Sequence, residues 1–194
     1  YGIDPGDILV ITFTRAAAEE MRERYEALTG GGSRVTFGTF HSIFFRILKL
    51  AYRYTADNIV REDQQMQFVR ELAQAGGLEP EDENEFAASI LSEISSVKGE
   101  RIALEHYYSK NCPDAVFRQL YSGYEAKMRR AGLIDFDDMM VLCLELFTER
   151  KDILSAWQRR YRYILIDEFQ DINRLQYEIV RMLAKPEDNL FIVG

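Results

Sequence analysis

The chain has 194 residues, 47% of them hydrophobic and 29% charged, enough to bury a sizeable core as one domain or as a domain carrying an insertion. This balance excludes a disordered chain, no apolar run approaches the length of a membrane span, and no N-terminal stretch reads as a secretory signal. A net charge of −8 excludes a nucleic-acid binder that works mainly by bulk electrostatics, while leaving room for a narrow groove that contacts a few phosphates and stacks bases.

In chain order, the apolar run from Asp7 to Phe13 follows Pro5-Gly6 and predicts a buried strand of a parallel sheet. Thr14 is placed to cap a helix running to Leu28, which the Gly30-Gly31-Gly32 triplet stops. Val35 to Thr39 predicts a second strand and Ser42 to Tyr54 a helix with Ile43, Phe44, Ile47, Leu48 and Ala51 on its apolar side. Strand, helix, strand, helix is the pattern of a βαβ unit.

From about residue 56 to 134 the strand signals vanish and apolar residues recur at helical spacing, with Gly76-Gly77, Lys98-Gly99 and Asn111-Cys112-Pro113 as turns. Asp135 then caps a helix to about Phe147, and another follows to Arg160. Arg162 to Ile166 returns to strand character, Asn173 to Ala184 reads as a helix, and Leu190 to Val193 as a last strand. The expected fold class is α/β: a parallel sheet domain interrupted by an all-helical insertion, divided as 1–55, 56–135 and 136–194. Cys112 and Cys143 form no CxxC and have no paired histidines, and read as two reduced thiols of a cytoplasmic protein.

Tyr163-Ile164-Leu165-Ile166-Asp167-Glu168 sets two carboxylates at the carboxyl end of an apolar strand, the edge at which open parallel sheets bind ligands. A nucleoside triphosphatase needs one carboxylate there for Mg²⁺ and a base for the attacking water. Acids that merely cap the following helix explain the hexapeptide equally well.

The continuation, Phe169-Gln170-Asp171-Ile172-Asn173, makes the segment closely resemble motif II of superfamily 1 DNA helicases of the UvrD/Rep/PcrA group. Ile11-Thr12-Phe13-Thr14-Arg15-Ala16-Ala17-Ala18-Glu19-Glu20-Met21 resembles motif Ia, and Thr39-Phe40-His41-Ser42 resembles motif Ib. Leu133 to Met139 is similar to the Asp-Phe-Asp-Asp segment that leads back into the motor domain, and Ile192-Val193-Gly194 to the strand entering motif III.

The resemblance implies a partial RecA-like (P-loop NTPase) motor domain, 1A, split by a helical domain, 1B, within an ATP- and Mg²⁺-dependent 3′–5′ DNA helicase of repair or recombination. It implies Asp167 as magnesium ligand, Glu168 as catalytic base, and both as nucleotide-site residues. Phe13, Thr14, Arg15, Thr39, Phe40 and His41 would contact DNA, the two phenylalanines by stacking on bases and the hydroxyls by bonding to phosphates. Core packing is the competing reading for both phenylalanines, and a backbone-bonded helix start for His41. Arg15 departs from the asparagine of many relatives.

The implied partners are single-stranded DNA, single-strand/duplex junctions and a second motor domain of the same full-length chain. The chain starts at Tyr1 and stops at Gly194 after an apolar run, ends that read as those of an excised piece. The P-loop is expected upstream and the motif III glutamine downstream, so residues 1–194 alone are expected to lack ATPase activity. A non-catalytic DNA-binding or interaction module of the same shape, and the motor part of an AddA/RecB-like helicase–nuclease, are the alternatives.

Asp135, Asp137 and Asp138 invite a two-metal reading, but their spacing at a helix start fits an N-cap with first-turn acids. Lys98, Lys110, Lys127, Arg129 and Arg130 could line a duplex or strand path, but scattered surface bases are usually solvated and no individual contact is assigned to them. Tyr107, Tyr108, Tyr121 and Tyr124 read as core residues.

Overall fold

The computed structural model describes residues 2–194. It divides into a sheet-bearing unit, formed by the residues up to Tyr52 and by Met140–Gly194, and a helical unit, Arg53–Met139.

The sheet has four parallel strands, β1 (Ile8–Thr12), β2 (Thr36–Thr39), β3 (Tyr163–Ile166) and β4 (Leu190–Ile192), in the order β2-β1-β3-β4. Parallel strands need crossovers, and the helices α1 (Arg15–Thr29), α2 (Phe40–Tyr52), α7 (Lys151–Arg160) and α8 (Arg174–Ala184) provide the material for them. The central strand β1 is a continuous apolar run because both of its faces are covered: Leu9, Ile11 and Thr12 are inaccessible to solvent. Ile164, Ile166, Phe40, Phe44, Ile47, Leu48, Leu175, Ile179 and Val180 complete this core.

The Thr14 hydroxyl accepts from the Ala17 amide, 3.1 Å away, and so caps α1 as expected. Gly30, at φ +81°, ends α1 in the left-handed conformation that a side chain disfavours. The second helix begins at Phe40, two residues before its expected start. The reason is a reciprocal cap: Ser42 N donates to Thr39 Oγ1 (3.2 Å) while Thr39 N donates to Ser42 Oγ (2.9 Å). These bonds turn the chain into the helix directly at the end of β2.

The helical unit contains α3 (Glu62–Ala75), α4 (Glu83–Gly99), α5 (Asp114–Ala131) and the first residues of α6 (Phe136–Glu149). Its core gathers Val69, Ala87, Ile90, Ile94, Val97, Phe117, Leu120, Tyr124 and Met128. Its two chain ends pair through an isolated parallel bridge, in which Val60 N donates to Ile134 O (3.0 Å) and Ile134 N to Asn58 O (2.7 Å). Adjacent ends are what lets one unit be inserted into another.

Lys98 corrects an expectation. It lies only 6% exposed, with its ammonium 2.7 Å from Glu125, 2.8 Å from Asp135 and 2.7 Å from Asp138, and is therefore an internal counter-ion and no strand-path cation. Asp135 and Asp138 cap each other's amides across the start of α6, at 2.7 and 3.0 Å, as the N-cap reading requires. Tyr108 is likewise corrected: it is 71% exposed, whereas Tyr124 is fully buried. No helix among the described residues is long and apolar enough to cross a membrane. Both cysteines are free, with Cys143 buried and donating to Phe44 O.

Candidate functional site

The register of the sheet collects three sequence segments at one edge. Thr12 of β1 stands beside Thr39 of β2, and Ile11 of β1 beside Ile166 of β3. The residues that follow these positions, Phe13-Thr14-Arg15, Phe40-His41 and Asp167-Glu168, therefore leave the sheet side by side at its carboxyl edge. One more backbone bond, Asp167 N to Ile11 O at 3.1 Å, extends the pairing into the acidic dipeptide.

Asp167 is half-buried and Glu168 exposed. Glu168 adopts φ 53° and ψ 45°, the left-handed region that a side chain other than glycine occupies at a cost of about 1–2 kcal/mol. Such strain is retained at functional sites, and here it reverses the chain immediately after β3 into a 3-10 turn, Phe169–Asp171. Gln170, whose role the sequence did not disclose, donates its side-chain amide to the Glu168 carboxylate. The same turn is tied down by Asp171 N bonding to Glu168 O (3.0 Å). The acids therefore do not cap α8; Asn173 does, in a capping box with Gln176.

No group of three or more His, Cys, Asp or Glu side chains among the described residues could cage a metal. The carboxylates at this edge are those of Asp167 and Glu168, a donor set of the size that a nucleotide-carried Mg²⁺ would accept, since this ion takes one or two protein carboxylates and fills its remaining positions with waters and phosphate oxygens.

On the other side of the edge, Phe13 is half-buried, while Thr14 and Arg15 are exposed. Phe40 is only 2% exposed, packed edge-on to Phe13 with ring centroids 5.6 Å apart and against Phe44 at 6.0 Å. Its faces are thus occupied by protein and it serves as the backing for Phe13, which keeps one side toward solvent. The Thr12 hydroxyl, fully buried, donates to Thr14 O (2.9 Å) and fixes the turn that presents Phe13. Arg15 is 90% exposed and pairs with Glu19 at 2.9 Å. His41 is half-buried, and burial lowers its pKa below the ordinary histidine value.

The family model for the UvrD/REP helicase N-terminal domain matches residues 1–194. Among curated proteins, the chain is 39% identical to a putative ATP-dependent DNA helicase, YjcD, of Bacillus subtilis, an alignment covering 100% of this chain and 26% of that protein. It is 34% identical to the ATP-dependent DNA helicase PcrA of the same species, covering 99% of this chain and 27% of the relative. Identity to DNA helicase II of Escherichia coli is also 34%, over 98% of this chain and 27% of that protein. The chain thus spans about a quarter of the length of the relatives it matches. On the match of the family model and of these sequences, the chain belongs to the UvrD/REP helicase N-terminal domain family.

Proposed function

We propose that this chain is the nucleotide-hydrolysing and strand-gripping part of an ATP-dependent DNA helicase that translocates 3′ to 5′ along single strands. The sheet-bearing unit is read as motor domain 1A and the helical unit as the inserted domain 1B. One observation carries the reading: the register that aligns β1, β2 and β3 brings an acidic pair and an aromatic-hydroxyl pair to the same sheet edge.

In this reading Asp167 holds Mg²⁺, which supplies charge neutralisation on the β and γ phosphates when bound. Glu168 orients and deprotonates the attacking water, and the left-handed turn behind it keeps its carboxylate at the mouth of the edge. Gln170 holds that carboxylate through its amide. Phe13 stacks on a base with Phe40 behind it, while Thr14, Arg15, Thr39 and His41 address the adjacent backbone. His41, kept neutral by burial, acts as a hydrogen-bonding group with no added charge. The phosphate cradle and the second motor domain come from other parts of the full-length protein, so the 194 residues alone turn over no ATP. Repair or recombination, at single-strand/duplex junctions in the cytoplasm, is the setting this activity suits.

The test is DNA-stimulated ATP hydrolysis by the full-length protein. The reading requires that a single-stranded oligonucleotide accelerate turnover and that Glu168→Gln remove the acceleration. A protein that binds DNA and is indifferent to this substitution is a binding module with a helicase-derived fold.

A further inference from the structure

One face of α1 and the junction of β2 with α2 enclose a groove of about 360 Å³ lined by Arg15, Glu19, Arg22, Gly38, Thr39 and Ser42. Positions 15, 19 and 22 share this face because they fall at the three-, four- and seven-residue spacings of an α-helix. Gly38 lines the groove through its backbone alone, and no side chain would fit there: a Cβ would stand 2.7 Å from Ser42 Oγ and 3.0 Å from Ile43 Cδ1.

The arginines of α1 are not equivalent. Arg15 is neutralised by Glu19 at 2.9 Å, and Arg24 pairs with Glu20 at 2.5 Å. Among the described residues Arg22 has no ion pair, although Glu26 stands one turn further along the helix. Of the two arginines that line the groove, Arg22 is thus the one left without a carboxylate, in a chain whose net charge is −8. Across from it, Thr39 Oγ1 accepts from Ser42 N, and its own hydrogen remains free to donate. A guanidinium with open donors and a hydroxyl donor facing one groove suit a compact tetrahedral anion.

We propose that this groove seats a backbone phosphate of the bound single strand, with Arg22 supplying the charge and Thr39 a hydrogen bond. The inference rests on the reading of the sheet edge as a strand path and extends that path onto the flank of α1, beyond Phe13 and Arg15. Arg22 stands about 10 Å along the helix from Arg15, far enough for the two to address different phosphates. Glu19, which holds Arg15, also sets a negative charge inside the groove.

The experiment is the salt dependence of oligo-dT binding by the full-length protein, between roughly 50 and 200 mM salt. Arg22→Gln, which keeps helix propensity, is expected to lower the slope of log K against log salt by about 0.7, the share of one phosphate on a single strand. Arg24→Gln, on the far side of α1, is expected to leave the slope at the wild-type value. Glu19→Gln is expected to steepen it by freeing Arg15 and removing the repulsive charge. An Arg22→Gln slope indistinguishable from that of Arg24→Gln, with wild-type binding intact, overturns the phosphate seat alone. Wild-type protein that binds oligo-dT without salt dependence overturns both the seat and the strand path on which it rests.

Discussion

Lys98 is the residue of the helical unit whose replacement has the most decided outcome. Its ammonium, with the side chain 4% exposed, lies within 2.7–2.8 Å of three carboxylates drawn from α5, the α6 cap and the first turn of α6. Burial works against the charged ammonium, but Asp135, Asp138 and Glu125 outweigh it and hold the pKa above the ordinary lysine value. Lys98→Met keeps the volume of the stem and deletes the charge. Removing one partner of a buried ion pair costs about 3–5 kcal/mol, because the remaining charge loses its compensation. Glu125 and Asp138 keep 23% and 18% side-chain exposure and can recover some hydration, whereas Asp135 at 6% cannot. The lower end, about 3 kcal/mol, is therefore expected.

With an m-value of about 1–2 kcal/mol per molar for a unit of this size, the urea midpoint of the helical unit drops by about 2 M. Far-UV circular dichroism follows the unfolding, and hydrogen exchange at the amides of α4 and α5 assigns the loss to this unit. Adding Asp135→Asn to Lys98→Met removes the stranded charge and is expected to recover a substantial part of the loss. A loss below about 1 kcal/mol, the range of an exposed ion pair, refutes the account of Lys98 as an internal counter-ion.

Two further predictions concern the site edge. Gly38→Ala places a methyl against Ser42 Oγ and Ile43 Cδ1, displacing the hydroxyl that caps α2, and is expected to cost about 1–3 kcal/mol in a thermal melt; an unchanged melting point contradicts that packing. For His41, burial lowers the folded pKa below the unfolded value of about 6.5, so the unfolded chain takes up the proton first as pH falls. His41 therefore contributes stability that is fully present above pH 6.5 and is lost as pH falls toward its folded pKa; His41→Gln should flatten the melting-temperature profile in that window, and an unaltered profile removes the burial argument.

Much of the sheet-bearing unit was readable because its signals are local. The apolar run of β1, the Thr14 cap, the Gly30 stop and the Asn173 start each act within a few residues, and the strands and helices they predict are present. The start of α2 is not legible in the sequence, because Phe40 and His41 look like a continuing strand and only the Thr39–Ser42 cap turns them into the helix. The burial of Phe40 follows from that same early turn, which swings its ring beneath Phe13. Lys98 was unreadable for a different reason. Its partners Glu125, Asp135 and Asp138 lie far along the chain and on other elements, and a lysine before Gly99 looks like an ordinary solvated helix end. Arg22 is not distinguishable in the sequence from Arg15 and Arg24, because only the pairing pattern of α1, which the chain alone does not settle, separates them. Asp167 and Glu168 are legible as acids at the end of an apolar strand, and the register of β3 with β1 adds what the hexapeptide lacks: a shared edge with the aromatic and hydroxyl residues.

The proposed role of Glu168, activating water at that edge, is put to the test by steady-state ATP hydrolysis with the full-length Glu168→Gln protein. Saturating single-stranded DNA is present, and nucleotide and DNA affinities are measured alongside. The account predicts turnover reduced by about 10²–10⁴-fold, the usual contribution of a positioned base. Both affinities should stay within about twofold of wild type, because the loss falls in the transition state and spares ground-state binding. Wild-type turnover by the variant, or a loss explained entirely by weaker nucleotide binding, would contradict it.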